Sequence, residues 1–514
     1  MGRRPVIVVL ALCAMAALGA WVWQGRAQPL DGPPVTRLPC ASYAPFRGAE
    51  TPFDEAFTVP EARVEEDLRV LSGLTNCVRT YATTNGLDAV PRVAERLGMT
   101  VLQGAWIGRE AAANTAELNR ALALAEAHPK TIRALVIGNE VLLRRELPVE
   151  SLAALLREAR ARSVVPITYA DVWEFWIKAP ELAPLVDIVT VHILPYWEDE
   201  PLAVDIAVDH VVEIRAHVAE VFAGKPILVG ETGWPTAGRQ REGAEASRAA
   251  QARYIRALVA RAEAEGWDLN LIEAFDQPWK RALEGTVGGA WGLIDDARQV
   301  KPVLAGAVVE IPAWRSWYAG SVALGLVPLL AAVGLRRRLD AAGWVVLLVG
   351  GLAAGGALAF FGHHAVEATR GGLEGAVNLV AFGLSGGAAL LVLLALAEPE
   401  TPGGRALAVA RRLVLAMAAV AVLGMLFDAR YRDFPASLFL APAVGFALLV
   451  LRDGLRDRLP RAPEDRWLAV VAGVGAVVAA GREGLLNDDA WAWAAVLVLL
   501  SLPVLTLRGS GPGR

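Results

Sequence analysis

Two short segments place acids where chemistry is done. Ile137-Gly138-Asn139-Glu140 continues the apolar run Leu135-Val136-Ile137, and Gly230-Glu231-Thr232-Gly233-Trp234-Pro235 continues Pro226-Ile227-Leu228-Val229. Each run reads as a buried β-strand with its acid at the C-terminal end. Two carboxylates on different strand ends of one barrel are the minimum equipment for cleaving a glycosidic bond with retention. One protonates the leaving oxygen and later deprotonates the incoming hydroxyl, and the other attacks the anomeric carbon. Glu231 is assigned as the nucleophile; it must be ionised and so needs cationic or donor neighbours, Arg79 being the candidate. Glu140 is assigned as the acid/base, with a pKa expected above the ordinary carboxylate range. Alone, Glu140 also reads as a helix-start carboxylate and Glu231 as a loop acid. Their matching strand positions, and the Trp-Pro pair beside Glu231, favour catalysis.

The elements that must position them alternate short apolar strands with amphipathic helices, the βα pattern of a parallel sheet. Eight strands are expected near Pro39–Ala44, Cys77–Tyr81, Thr100–Trp106, Arg133–Ile137, Pro166–Tyr169, Ile188–His192, Pro226–Val229 and Leu269–Phe275, with helices such as Ala116–Ala127, Val149–Arg162 and Ser247–Glu265 between them. Eight such units over residues 36–311 suit a (β/α)8 TIM barrel, for which roughly 250 residues is usual. In that fold the C-terminal strand ends carry the site, and Glu140 and Glu231 end strands four and seven. Cys40 and Cys77 fall on the first two strands, where they either pair or remain buried thiols.

The second half is different. Hydrophobic residues make up 55% of the 514-residue chain, and mean hydropathy is +0.40. The excess lies in Val6–Trp23 and in runs at about 317–335, 342–361, 373–397, 413–427, 436–451, 467–481 and 490–507. These imply an N-terminal anchor or signal peptide (residues 1–28), the barrel (36–311) and an all-α, multi-pass transmembrane domain of about seven helices (315–508). Arg3-Arg4, Arg336-Arg337-Arg338, Arg405 with Arg411-Arg412, and Arg452, Arg456, Arg458, Arg461 and Arg466 fall in alternate loops. The intervening loops are poorer, with Arg370, then Arg430 and Arg432, then Arg482. By the positive-inside rule the rich loops are cytoplasmic and the barrel lies outside the cytoplasmic membrane. Asn378 and the pair His363-His364 are the notable polar residues of this half, and the histidines read as interfacial. No carboxylate relay is evident, so the helices are read as anchor, scaffold or docking surface for a partner, in contact with membrane lipid.

Several pieces carry a family resemblance: Cys40-Ala41-Ser42-Tyr43-Ala44-Pro45-Phe46-Arg47, Arg79-Thr80-Tyr81, Gly138-Asn139-Glu140, Gly230-Glu231-Thr232-Gly233-Trp234-Pro235, Phe275-Asp276-Gln277-Pro278-Trp279-Lys280 and Trp291-Gly292-Leu293. Over residues 38–302 the chain resembles glycoside hydrolase family seventeen. The resemblance implies activity on β-1,3-linked glucans and is closest to bacterial, membrane-attached members that remodel or build envelope β-1,3/1,6-glucan. It also implies substrate roles for Asn139 (to the sugar 2-hydroxyl), Tyr81, Arg79, Tyr196 (to the nucleophile or ring oxygen), Trp234, Trp279 and Lys280. Trp173, Trp176 and Trp197 complete a set of strand-end aromatics that read either as a glucan cleft or as packing under loops. His192 reads equally as core or cleft. The chain departs from the family at Gln277, often acidic, and near Gly288, where a further acid is expected; Glu284 and Glu273 are the nearby acids.

The expected enzyme is a retaining glycosidase or transglycosylase, with an endo-β-1,3-glucan hydrolase and a non-catalytic glucan-binding scaffold as the alternatives. A nucleotide-sugar polymerase is disfavoured by the short cytoplasmic loops. The expected partners are a β-glucan oligo- or polysaccharide and, for the helical half, membrane lipid and a glucan synthase or exporter. No cofactor is expected, no Cys/His spacing suggests a metal, and a net charge of −4 without a basic, aromatic-interleaved run gives no sign of nucleic acid.

Overall fold

The computed structural model describes residues 3–30, 34–54, 56–398, 404–428 and 433–507. Arg430 and Arg432, used above for orientation, lie outside the described residues. Contacts divide the chain into two units: Pro29–Ala237 with Ala244–Val308, and Met1–Gln28, Gly238–Gly243 and Val309–Arg514.

The first unit is a closed barrel of eight parallel strands: β1 (Ala41–Ser42), β2 (Cys77–Arg79), β3 (Thr100–Ala105), β4 (Ile132–Asn139), β5 (Ile167–Val172), β6 (Ile188–His192), β7 (Ile227–Thr232) and β8 (Asp268–Leu271). Each pairs with the next, and Ala41 aligns with both Val78 and Leu271 to close the ring. All eight expected strands form, shifted by a few residues at their ends. Along β4 every residue except Arg133 is buried, because a barrel strand is covered on both faces. The helices follow their local signals. Ser247 caps Arg248–Glu265 by accepting from the Ala250 amide at 3.1 Å, and Gly266 ends it at φ 68°.

Cys40 and Cys77 form a disulfide across 37 residues, which decides the alternative left open by the sequence. Cys40 precedes β1 and Cys77 opens β2, so the link lies at the strand starts, away from the C-terminal ends. It contributes stability mainly by restricting the unfolded chain. Cys40→Ser with Cys77→Ser is expected to lower barrel stability by about 2–4 kcal/mol, read as a fall in melting temperature. Activity at 25 °C should change little.

The second unit contains, among the described residues, eight long helices: Arg4–Gln24, Trp314–Gly334, Ala341–Ala368, Gly372–Ala397, Gly404–Phe427, Ala436–Arg452, Pro463–Arg482 and Asp488–Thr506. Six are long and apolar enough to cross a membrane; Ala436–Arg452 is shorter, and Pro463–Arg482 is not among the six. Small residues let Trp314–Gly334 and Ala341–Ala368 approach closely, for a Cβ on Gly351 would lie 2.1 Å from the Gly325 carbonyl oxygen. Asn378 donates to Thr369 at 3.1 Å. His363 packs against Trp317, and His364 lies 3.8 Å from Asp433.

Candidate active site

Glu140 follows β4 in a left-handed turn. Gly138 has φ 84° and Glu140 itself φ 53°, a conformation that side-chain-bearing residues seldom adopt. Neighbouring groups hold it there. The Glu140 amide donates to the Ala170 carbonyl at 2.8 Å, and its carbonyl accepts from the Arg144 amide at 2.9 Å. Asp171, the buried acid near the end of β5, accepts from the amides of Leu142 and Leu143 at 3.2 and 3.4 Å and from the Tyr169 hydroxyl. The Glu140 carboxylate thus emerges at the barrel mouth, partly exposed.

Glu231 stands in β7 with 6% of its side chain exposed. Its Oε1 accepts from Arg79 Nη1 at 3.2 Å and from the Tyr81 hydroxyl at 2.9 Å. Burial, then the charge of Glu231, pushes the Tyr81 phenol well above its ordinary value, so Tyr81 remains a donor. Arg79 also donates to the Gly230 carbonyl at 2.7 Å and to Asn139 Oδ1 at 2.5 Å. One guanidinium therefore orients both the nucleophile candidate and the residue preceding the acid candidate. Arg79 is itself 1% exposed, so the expected substrate contact is corrected to a supporting position beneath the cleft floor. Its grip leaves the Asn139 amide nitrogen as the free end of that side chain.

His192 closes the group. Its Nδ1 lies 3.0 Å from Glu140 Oε1, and its Nε2 lies 3.6 Å from Glu231 Oε1 and 3.5 Å from Arg79 Nη1. Burial acts to raise the Glu140 pKa, but the hydrogen bond and charge of His192, with Arg144 and Arg79 behind them, prevail and hold it below the ordinary value. The expectation of a raised acid/base is corrected accordingly, because the sequence does not reveal the imidazole against the carboxylate. Room for this arrangement depends on Gly230. A Cβ there would meet Thr190 Cγ2 at 2.3 Å and lie 3.5 Å from both Arg79 and His192. Gly230→Ala is expected to cut kcat/KM by about 10²-fold through displacement alone, with circular dichroism unchanged; activity within a factor of about two would show that the close approach is unnecessary.

Among the other expected cleft residues, Trp279 is half-exposed. It donates to Gln277 Oε1 at 2.9 Å and meets the exposed Phe53 edge-on at 5.5 Å. Lys280 is 2.8 Å from the buried Glu273, whose pKa burial lifts to about 7 against the opposing pull of Lys280. Trp234 requires correction. It is 0% exposed, its indole donates to the Glu245 carbonyl at 2.8 Å, and it packs against Tyr196 and Tyr254. Its ring has no face to offer a ligand. Trp176 is likewise core, donating to the Thr190 carbonyl, and the Tyr196 ring is buried among Trp197, Trp234 and Trp291. Glu284 fills the space above Gly288, where a Cβ would lie 2.8 Å from its Oε2. A carboxyl therefore stands at that place although position 288 has none.

Sequence reasoning passed over Trp106, which is 41% exposed and lies under the Arg144 guanidinium at 4.2 Å. It also passed over Asp171. Both end or follow barrel strands, the same signal that marked the two glutamates.

Donor atoms of Glu140, His192 and Glu231 lie within 4.8 Å of one another, a set that could ligate a metal. The Arg79 guanidinium, however, already supplies positive charge to Glu231 and His192 at 3.2 and 3.5 Å. A divalent ion would be repelled by it at close range.

A closed parallel barrel with a carboxylate pair at its C-terminal rim defines the class as a glycoside hydrolase or transglycosylase. Residues 40–292 match the BtgE/BtgC glycoside hydrolase domain. The chain is 27% identical over 231 residues to a glucan 1,3-beta-glucosidase of Schizosaccharomyces pombe, covering 42% of this chain and 72% of that protein. It is 26% identical over 299 residues to a probable glucan endo-1,3-beta-glucosidase btgC of Aspergillus terreus, covering 51% of this chain and 44% of that protein, so it spans less than half of the Aspergillus relative. The glycoside hydrolase family 17 beta-1,3-glucanosyltransferase of Rhizomucor miehei is 25% identical, with 53% of this chain and 98% of that one covered and a TM-score of 0.46. Over residues 40–292 the barrel is thus similar to the BtgE/BtgC glycoside hydrolase domain and to these glucan 1,3-beta-glucosidases.

Proposed function

We propose that the protein is a retaining enzyme acting on β-1,3-linked glucan at the outer face of the cytoplasmic membrane, transferring glucan chains and so elongating or branching an envelope β-1,3/1,6-glucan. The observation that carries the reading is that Glu140 and Glu231 bring carboxylate oxygens to within 4.8 Å of each other at the barrel mouth. Such an approach suits the close pair of a retaining enzyme better than the wider pair that an inverting enzyme keeps apart for its water. The names of the relatives supply the substrate class.

In this mechanism Glu231 attacks the anomeric carbon as Glu140 protonates the departing oxygen. Arg79 and Tyr81 hold Glu231 Oε1, leaving Oε2 for bond formation. The bond from the anomeric carbon to the leaving oxygen breaks and an ester to Glu231 forms. A sugar hydroxyl or water then gives its proton to Glu140, attacks the anomeric carbon and releases Glu231. Asn139 binds the 2-hydroxyl, and Trp279 with Phe53 offers an apolar face to the sugar ring. The arginine-rich loops support a barrel outside the membrane, and the Cys40–Cys77 disulfide suits an oxidising compartment.

The test is incubation of the full chain in detergent with a reduced β-1,3-gluco-oligosaccharide ladder, with products read by mass spectrometry. Products longer than the donor establish transfer. Only shorter ones make the protein a hydrolase, and unchanged oligosaccharides overturn the substrate assignment.

A further inference from the structure

We propose that Asp171, with Tyr169 beside it, is a positioning residue that clamps the turn carrying Glu140, and that it governs the step needing an aimed acid while leaving the attack by Glu231 untouched. The inference rests on the retaining reading above.

Three successive residues near the end of β5 each hold one part of that turn. Tyr169 and Asp171 stand two apart on the strand and so point to the same side. Ala170 between them accepts from the Glu140 amide through its carbonyl at 2.8 Å. The Tyr169 hydroxyl accepts from the Leu142 amide at 3.0 Å and donates to Asp171 Oδ2. That same oxygen accepts from the Leu142 and Leu143 amides at 3.2 and 3.4 Å. Asp171 Oδ1 accepts from the Val172 amide at 2.8 Å. Tyr169, Ala170 and Asp171 are all 0% exposed, so water cannot take over these bonds. The Tyr169 ring also lies against Gly138, where a Cβ would come within 3.5 Å of it.

The turn needs such a hold. The pairing of β4 with β5 slips register between Val136 and Asn139, and Glu140 then stands at φ 53°, a conformation that a side chain disfavours. The groups bonded to Asp171 are three amides and a hydroxyl, all of them donors. An ionised carboxyl accepts at both oxygens, whereas an amide must turn its NH2 against one set of donors. Asp171→Asn is therefore nearly isosteric and still loosens the turn. Glu231 is held from elsewhere, by Arg79 at the end of β2 and by Tyr81 just beyond it. Loosening the turn displaces the acid and leaves the nucleophile in place.

A general acid works only within hydrogen-bond reach of the oxygen it protonates. In the full chain Asp171→Asn is expected to lower kcat/KM on a β-1,3-gluco-oligosaccharide by about 10²-fold. Tyr169→Phe keeps the ring against Gly138 and should cost about tenfold in the same assay. The first-step rate on a dinitrophenyl β-glucoside, whose leaving group needs no proton, should fall by less than about threefold in either variant. In a Glu140→Ala background, Asp171→Asn should lower oligosaccharide turnover by no more than about a further twofold, because the group it positions is gone. Should Asp171→Asn fail to fold, as judged by circular dichroism, the same comparisons on Tyr169→Phe decide the matter. An equal loss on both substrates, or a full further loss in the Glu140→Ala background, overturns the proposal and makes the pair merely structural. Unchanged oligosaccharide turnover overturns it as well. A wild-type chain inactive on both substrates overturns the functional reading and this inference with it.

Discussion

Glu231→Gln is expected to abolish turnover of β-1,3-gluco-oligosaccharides, by about 10⁴-fold or more, while the barrel stays folded. The amide is nearly isosteric and can keep one hydrogen bond to Arg79 or Tyr81, but it cannot form the ester. Arg79 would be left without its buried counter-charge, so a modest loss of stability accompanies the change. Mass spectrometry of products gives the rate, and thermal melting separates chemistry from folding. Retention of more than about 1% of wild-type turnover would remove Glu231 from the nucleophile role.

Glu140→Ala should divide the two half-reactions. Turnover of oligosaccharides, whose leaving hydroxyl needs a proton, is expected to fall by about 10²–10⁴-fold. Formation of the glycosyl ester from a dinitrophenyl β-glucoside should persist, with its breakdown slowed. Azide, which needs no general base, should restore turnover and give the β-glucosyl azide. The β configuration would report two inversions at the anomeric carbon, and hence retention. The α-azide, or no azide effect, would contradict the roles given to this pair. The expectation draws on the position of Glu140, partly exposed at the rim, whereas Glu231 lies beneath with its Oε1 already hydrogen-bonded.

The strands, the barrel class and the two glutamates are legible in the sequence because their signals are local. An apolar run ending in an acid is visible along the chain, and its repetition with helices between gives the parallel barrel. The electrostatics are not local. His192, Arg79 and Tyr81 are 39 to 152 residues away from Glu231 in the chain, so their charges and hydrogen bonds at the site depend on how the ring of strands closes. The depressed Glu140 follows from that closure. The aromatics teach the same lesson. Trp234 and Trp279 look alike as strand-end tryptophans, yet one is fully buried with its indole satisfied and the other is half-exposed beside Phe53.

By itself the sequence determined the two-part organisation, the (β/α)8 class, the candidate acid and nucleophile and the apolar helical half, all of which depend on composition and periodicity along the chain. Tertiary structure alone decided that Cys40 joins Cys77, that Arg79 is buried against Glu231, that Glu284 stands over Gly288 and that His192 meets Glu140 and Arg79. Those outcomes depend on distances through space, and closing the barrel brings together side chains whose separation along the chain carries no trace of their contact.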